Sequence, residues 1–283
     1  MFLRETLASP PERVDRLDMS QMLDPELSVV EVRTYFIRKR NALLVRGRFS
    51  PLYLDYYLHL MQHQLKYEED MDLMLKEALA GLALHLASRP QDETCAWTMN
   101  FHQPLMNLFV TGSSRPGRLT GRIFTEDIRD SGKTLFIAQT TRPNQNPRQS
   151  MVELEGTDVL AAVEAFYTQS EQRLTRIFRL PDEEFVQISA EPDCDEEWVA
   201  AITLDDLHEL GQKEHLTLLE TRGYVLECGC SPERLYPLIS RLSEEDLDYV
   251  FEDGVAQMQC PRCAARYRTE KEAFEEWKLR EGI

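Results

Sequence analysis

Apolar and β-branched residues crowd residues 29–49, VVEVRTYFIRKRNALLVRGRF, in a pattern that predicts two strands with Asn41 at the turn between them. The stretch after Phe49 predicts a helix. Within residues 66–87, Met71, Met74, Leu75, Ala78, Leu79, Leu82, Ala83 and Leu86 recur at three- and four-residue steps, which predicts a helix with one buried stripe, stopped at Arg89-Pro90. Strand-like runs follow at residues 95–101, 106–112, 118–124 and 134–141, broken by Gly112, Gly117, Gly132 and several prolines, and they predict an antiparallel meander. Thr157, after Glu155-Gly156, is placed as the N-cap of a further helix over DVLAAVEAFYTQSEQ.

Strands covered by long helices make residues 29–180 an α+β core domain with an antiparallel sheet. Residues 1–28 carry two adjacent prolines and no clear periodicity, and stand apart as an N-terminal extension. Residues 182–214 hold twelve Asp or Glu against one Lys, a local charge of −11, so residues 181–222 are expected to form an acidic helical linker. Its helical pattern, TLDDLHELGQ, opens with Thr203 and Asp206 spaced as a capping box, and Leu204, Leu207 and Leu210 make a narrow apolar stripe. So thin a stripe among crowded carboxylates can be ordered only by packing on a neighbour.

Composition narrows the function classes. The 283 residues are 42% apolar and 29% charged, which is globular and long enough for two cores. A formal charge of −17 repels nucleic acid and anionic membrane surfaces. The first residues lack a secretory apolar core and no segment reaches bilayer length, so the expected location is cytoplasmic. In a reducing compartment, six cysteines point to metal or redox chemistry rather than a disulfide framework.

Four of those cysteines form a constellation over residues 223–283. Cys228-Gly-Cys230 is followed after 29 residues by Cys260-Pro-Arg-Cys263, and a closed tetrahedral set of four thiolates is what one zinc ion favours. Gly229 lets the first pair bend towards a metal. Ser231-Pro232-Glu233 predicts a helix start, Ser243 with Asp246 a second, VAQMQ a strand into Cys260, and Thr269 with Glu272 the cap of a last helix. A unit of about 60 residues with few large apolar side chains buries little core. Structural zinc contributes roughly 10 to 16 kcal/mol of apparent binding energy, against about 5 to 15 kcal/mol for a whole domain, so loss of the metal should unfold the unit. Each pair is also close enough to close a disulfide within itself, and a short C-x-C ring is strained and easily reduced. Spacing alone leaves open a constitutive structural site that never changes oxidation state.

The pattern Cys228-x-Cys230, Ser231-Pro232-Glu233-Arg234, Cys260-Pro-Arg-Cys263 and Tyr267 resembles the redox-regulated chaperones of the Hsp33 family. Upstream, Glu155-Gly156 ahead of a helix ending in Gln169-Ser170-Glu171-Gln172 is similar to the segment closing that family's first domain. The resemblance implies that Cys228, Cys230, Cys260 and Cys263 hold zinc in a reduced form of low activity. It also implies that oxidation releases zinc, unfolds the linker and lets the chain bind unfolding proteins, often as a homodimer. It carries over no catalytic residue. Residues 1–28 lie outside it, and residues 94–141 have fewer glycine turns than the family usually shows.

Other chemistry is weaker. Cys95 sits in an apolar run and is expected to be a buried packing residue. Cys194 lies among Glu191, Asp193, Asp195, Glu196 and Glu197, whose charges should raise its pKa and slow its oxidation. His59 and His63 could make half a metal site, but no third ligand stands near in sequence, so surface or packing roles are expected. Tyr53, Tyr56, Tyr57 and Tyr67 are expected to cover core. A nucleic-acid-binding zinc ribbon gains some support from Arg262, Arg266, Arg268 and Lys271, yet residues 221–283 carry nine basic and thirteen acidic residues, a net of −4. A thiol oxidoreductase would want its Cys-x-x-Cys at a helix start in a βαβ setting, which is absent here. No catalytic turnover is expected. The remaining alternative is a constitutive structural-zinc protein that binds a partner protein or nucleic acid.

Overall fold

In the computed structural model residues 28–282 are described; the extension expected over 1–28 lies outside them except for Ser28. Strands β1 (Val30–Ile37) and β2 (Ala42–Arg48) form the expected hairpin, turned at Asn41 in the left-handed region (φ 48°). Helix α1 (Ser50–Gln62) follows directly, with Pro51 in its first turn, where a missing N–H costs nothing. Helix α2 (Glu69–Ala87) departs from a single stripe: from Ala78 to Ala87 every residue is buried. The all-round burial follows from its place across the sheet, with α3 on its other flank.

Strands β3 (Thr94–Phe101), β4 (Met106–Ser114) and β5 (Gly117–Phe124) are consecutive antiparallel neighbours, but β6 (Thr134–Thr141) pairs with β3, and β7 (Arg148–Leu154) with β6. The expected four-strand meander is therefore three strands with β6 returning along the far side of β3. Helix α3 (Val159–Phe166) is capped by Asp158, whose carboxylate accepts from the Ala161 N–H, rather than by Thr157. Strands β8 (Thr175–Leu180) and β9 (Glu184–Ala190) complete an antiparallel group with β2.

The acidic segment over 181–222 contains two helices, α4 (Glu196–Ala201) and α5 (Leu204–Lys213), and the expected Thr203/Asp206 capping box is present. It also contains β9 and most of β10 (Leu216–Leu226), two strands of the main sheet. β9 escapes detection because its buried positions include the polar Gln187 and Ser189; the Gln187 Nε2 amide donates to the Ser189 hydroxyl and to the Tyr167 hydroxyl. The order of the ten-stranded sheet is β7-β6-β3-β4-β5-β10-β1-β2-β9-β8. Its pairs are antiparallel except at the centre, where β10 meets β5 in parallel through Val225 and Leu226.

Two cores result. The larger lies between the sheet and helices α1, α2 and α3, around Trp97, Phe136 and Phe166. The smaller lies on the β1-β2-β9-β8 half, where α4 and α5 place Val199, Ile202, Leu207 and Leu210 against Ile37, Leu44, Val186 and Ile188. Acidic charge is matched locally: Arg40, in the β1–β2 turn, bonds Asp195 at 2.7 Å and Glu214 at 2.9 Å and covers the Trp198 ring at 5.2 Å. Among the described residues no helix is long and apolar enough to cross a membrane.

One buried base sets a pH dependence. His85 Nδ1 lies 2.8 Å from the Tyr167 hydroxyl, enclosed by Trp97 and Phe166, and burial first, then Arg89, pushes its pKa down to about 3. The unfolded state, with an ordinary value of about 6.5, binds the proton more readily, so this stability is complete above pH 6.5 and is lost as pH falls towards 3. Denaturant unfolding should show about 3 kcal/mol lost from this residue between pH 6.5 and pH 4, and His85→Gln should remove that part of the slope.

Candidate metal centre

The C-terminal unit is built from α6 (Pro232–Ile239), α7 (Glu244–Val250), the hairpin β11 (Val255–Gln259) and β12 (Arg266–Glu270), and α8 (Lys271–Glu281). Ser231 and Ser243 cap α6 and α7 through side-chain oxygens, as their spacing predicts. Strand β12 is an addition to the expected order. Thr269 belongs to it and bonds the Tyr236 hydroxyl at 2.6 Å, so it does not cap α8, whose N-cap Glu270 makes no side-chain bond. The unit also holds more core than its apolar count suggests. Phe274 stacks on Phe251 (5.4 Å) and Trp277 (5.9 Å), and Tyr236 meets Phe274 edge-on at 5.5 Å.

The fold brings all four cysteine sulfurs of this unit within 4.8 Å of one another. Cys228 Sγ lies 3.7 Å from Cys260 Sγ, and Cys230 Sγ 3.4 Å from Cys263 Sγ, with every cysteine a free thiol. A tetrahedral metal with sulfur ligands at about 2.3 Å has ligand edges of about 3.8 Å, so the four could hold one metal ion with little adjustment. Gly229, at φ 66°, makes the first turn. In the second, the Cys260 N–H donates to Ala265 O (2.8 Å), the Ala264 N–H to Cys260 O (3.0 Å) and the Arg262 N–H to Cys260 Sγ (3.4 Å).

Crowding couples the thiols. Hydrogen bonds from Cys228 and the others hold Cys260 well below the ordinary thiol range, and the bond with Cys228 leads in lowering Cys230 to about 7. Cys228 and Cys263 are raised in exchange, through the same hydrogen bonds. Two of the four are thus poised as thiolates, the form in which a metal is bound. The Tyr267 hydroxyl lies 3.1 Å from Cys230 Sγ and donates to Cys230 O at 3.1 Å.

The other sequence candidates separate clearly. Cys95 is wholly buried in the main core, and burial raises its pKa to about 11. Cys194 is raised by burial first and then by Asp195, Glu196 and Glu191. Tyr53 and Tyr56 are buried, Tyr67 is half-buried, and Tyr57 is exposed with its hydroxyl on Asp72 at 2.9 Å. Among the described residues His59 and His63 meet no third ligand; they face the cysteine turn instead. His59 Nε2 donates to Cys263 O (2.8 Å), the Arg266 N–H donates to His63 Nδ1 (3.1 Å), and the His63 ring meets Tyr267 at 5.6 Å. Arg122 on β5 donates to Cys260 O at 3.0 Å and to Gln259 Oε1 at 3.2 Å. These contacts lie far apart in sequence, and only the i, i+4 spacing of the two histidines hinted at them.

Comparison with known proteins agrees with this arrangement. The family model described as Hsp33 protein matches residues 179–270, the span that includes the acidic segment and all four cysteines. A 33 kDa chaperonin of Proteus mirabilis is 24% identical over 280 residues, covering 85% of this chain and 94% of its own, and one of Serratia proteamaculans is 26% identical over 256 residues, covering 79% and 87%. The crystal structure of a 33 kDa chaperonin, a heat shock protein 33 homolog from Thermotoga maritima, superposes with a TM-score of 0.66 at 15% identity, covering 90% of this chain and 99% of that one. The chain is similar to proteins of the Hsp33 family. The likeness to that structure extends to the fold, a mixed α+β sheet domain followed by a small C-terminal unit, and in this chain that unit carries the four clustered cysteines.

Proposed function

We propose that this chain is a chaperone of the Hsp33 kind and a redox-regulated holdase: of low activity when reduced and zinc-bound, and active towards unfolding proteins when its four cysteines are oxidised. The observation that carries this is a cluster of four reduced sulfurs joined without a spacer to the main sheet, since the Glu227 N–H still donates to Leu119 O at 2.9 Å one residue before Cys228. Zinc, when bound by Cys228, Cys230, Cys260 and Cys263, would supply a structural cross-link with no open position for catalysis.

Oxidation pairs Cys228 with Cys230 and Cys260 with Cys263. A disulfide needs its sulfurs at about 2.05 Å, so the sulfurs leave the spacing that a shared metal requires. The C-terminal unit then loses its cross-link and its seat on the core. The acidic segment is the next element to yield, because its twelve carboxylates against one lysine hold together only through neighbours such as Arg40. Release of α4 and α5 uncovers Leu44, Val186 and Ile188, an apolar face suited to exposed hydrophobic segments of a client. In this reading the active form pairs as a homodimer, acts in the cytoplasm and binds no nucleic acid.

The four-ring core of the C-terminal unit favours one other reading, a constitutive structural site whose unit stays folded without metal. Peroxide or hypochlorite at raised temperature separates the two. Released zinc and suppressed aggregation of a thermally unfolding substrate should rise together and reverse with a dithiol. Zinc loss with aggregation unchanged would reject the switch in favour of the structural site.

A further inference from the structure

Both cysteines of the Cys260–Cys263 turn are held from outside their own unit, by their backbone carbonyls. Arg122 Nη1 donates to Cys260 O at 3.0 Å, and His59 Nε2 donates to Cys263 O at 2.8 Å. The other pair is treated differently: Cys228 O accepts from Arg262 and Cys230 O from Tyr267, both within the C-terminal unit. Beside the gripped turn an open cleft of about 400 Å³ is lined by Pro261 and Arg262 together with Phe109, Phe124 and Ile128. Two hydrogen bonds therefore tie the turn to the core, and Arg122 lies over the Phe124 ring at 4.0 Å.

We infer that Arg122 and His59 are positioning residues for the Cys260–Cys263 thiol pair, holding the turn open by its two carbonyls and so slowing closure of its disulfide. The inference rests on the redox reading above. With a peroxide as oxidant, one thiolate sulfur attacks a peroxide oxygen, giving a sulfenic acid and hydroxide. The second thiolate then displaces hydroxide from the sulfenic sulfur and forms the S–S bond. Two thiolates thus lose two electrons, and the peroxide leaves as two hydroxides. The second step draws the sulfurs to about 2.05 Å and turns the peptide units between them, and each carbonyl bond to the core opposes that rotation.

The test treats the full-length chain with hydrogen peroxide and follows the Cys260–Cys263 disulfide by mass spectrometry, with dimedone trapping the sulfenic acid. Arg122→Ala and His59→Phe should each close the disulfide about ten-fold faster, the scale of losing one charge-assisted or buried hydrogen bond. They should also leave less trapped sulfenic acid, and Arg122→Lys should recover much of the slow closure. Val152→Ala, a core truncation on the distant strand β7, controls for general loosening and should leave closure unchanged. Closure at the wild-type rate in both grip variants, or equal acceleration by Val152→Ala, overturns the inference. A wild-type chain that forms no Cys260–Cys263 disulfide overturns instead the redox reading beneath it.

Discussion

If the proposed zinc site is right, serine at Cys260 or Cys263 should leave the chain nearly free of metal and its C-terminal unit loosened. Both sulfurs belong to a set that lies within 4.8 Å, and three remaining thiolates cannot close a tetrahedron. Loss of a mere outer-shell partner costs metal sites about 10- to 100-fold in affinity, so loss of a ligand should exceed about 100-fold. Metal content after dialysis reads this directly. The effect on folding depends on the balance between metal energy and the ring stack of Tyr236, Phe251, Phe274 and Trp277. A metal contribution of roughly 10 kcal/mol or more outweighs four rings in so small a unit, and the emission of Trp277, now 7% exposed, should shift to the red. Native emission in a metal-free variant would favour the self-sufficient core.

Alanine at Gly117 should be the most damaging single methyl in the sheet domain. Its Cβ would stand 1.9 Å from Gly223 O, a backbone atom that cannot step aside alone. The clash falls where β5 meets β10 in parallel, so the two halves of the sheet must part to relieve it. A destabilisation of about 3 to 5 kcal/mol is expected, a large share of a typical domain stability of about 5 to 15 kcal/mol, measured as a lower denaturant midpoint. Gly211→Ala is the matching control: it sits in α5 with nothing within 4 Å of the added carbon and should stabilise by about 0.5 to 1 kcal/mol. Equal effects at the two positions would contradict a tight seam between β5 and β10.

Much of this architecture is legible in the residues themselves. Strand alternation in β1, the long apolar run of α2, the caps at Thr203, Ser231 and Ser243, and each of the two cysteine pairs are local signals, carried by residues close together in sequence. What stays hidden is non-local. β9 reads as an acidic, mixed-polarity stretch because the hydroxyls that accept from the Gln187 amide come from Ser189 of its own strand and from Tyr167 outside it, on another element. β10 reads as linker because its pairing with β1 joins residues nearly two hundred positions apart, as in Val30 with Tyr224. The charge count over 182–214 hides the same fact, since it registers carboxylates and not the arginine that gathers them. Of the candidate metal centre, the donor set can be read and its seating cannot, because Arg122 carries no local mark and His59 and His63 offer only their i, i+4 spacing.

The parallel contact of β10 with β5 involves only Val225 and Leu226, and Glu227 adds one more bond before the chain reaches Cys228. No slack loop lies between the narrowest stitch of the large sheet and the first sulfur. Sheet and sulfurs are wired in series: a tug on either end arrives undamped at the other, and neither can be reshaped without the other feeling the load.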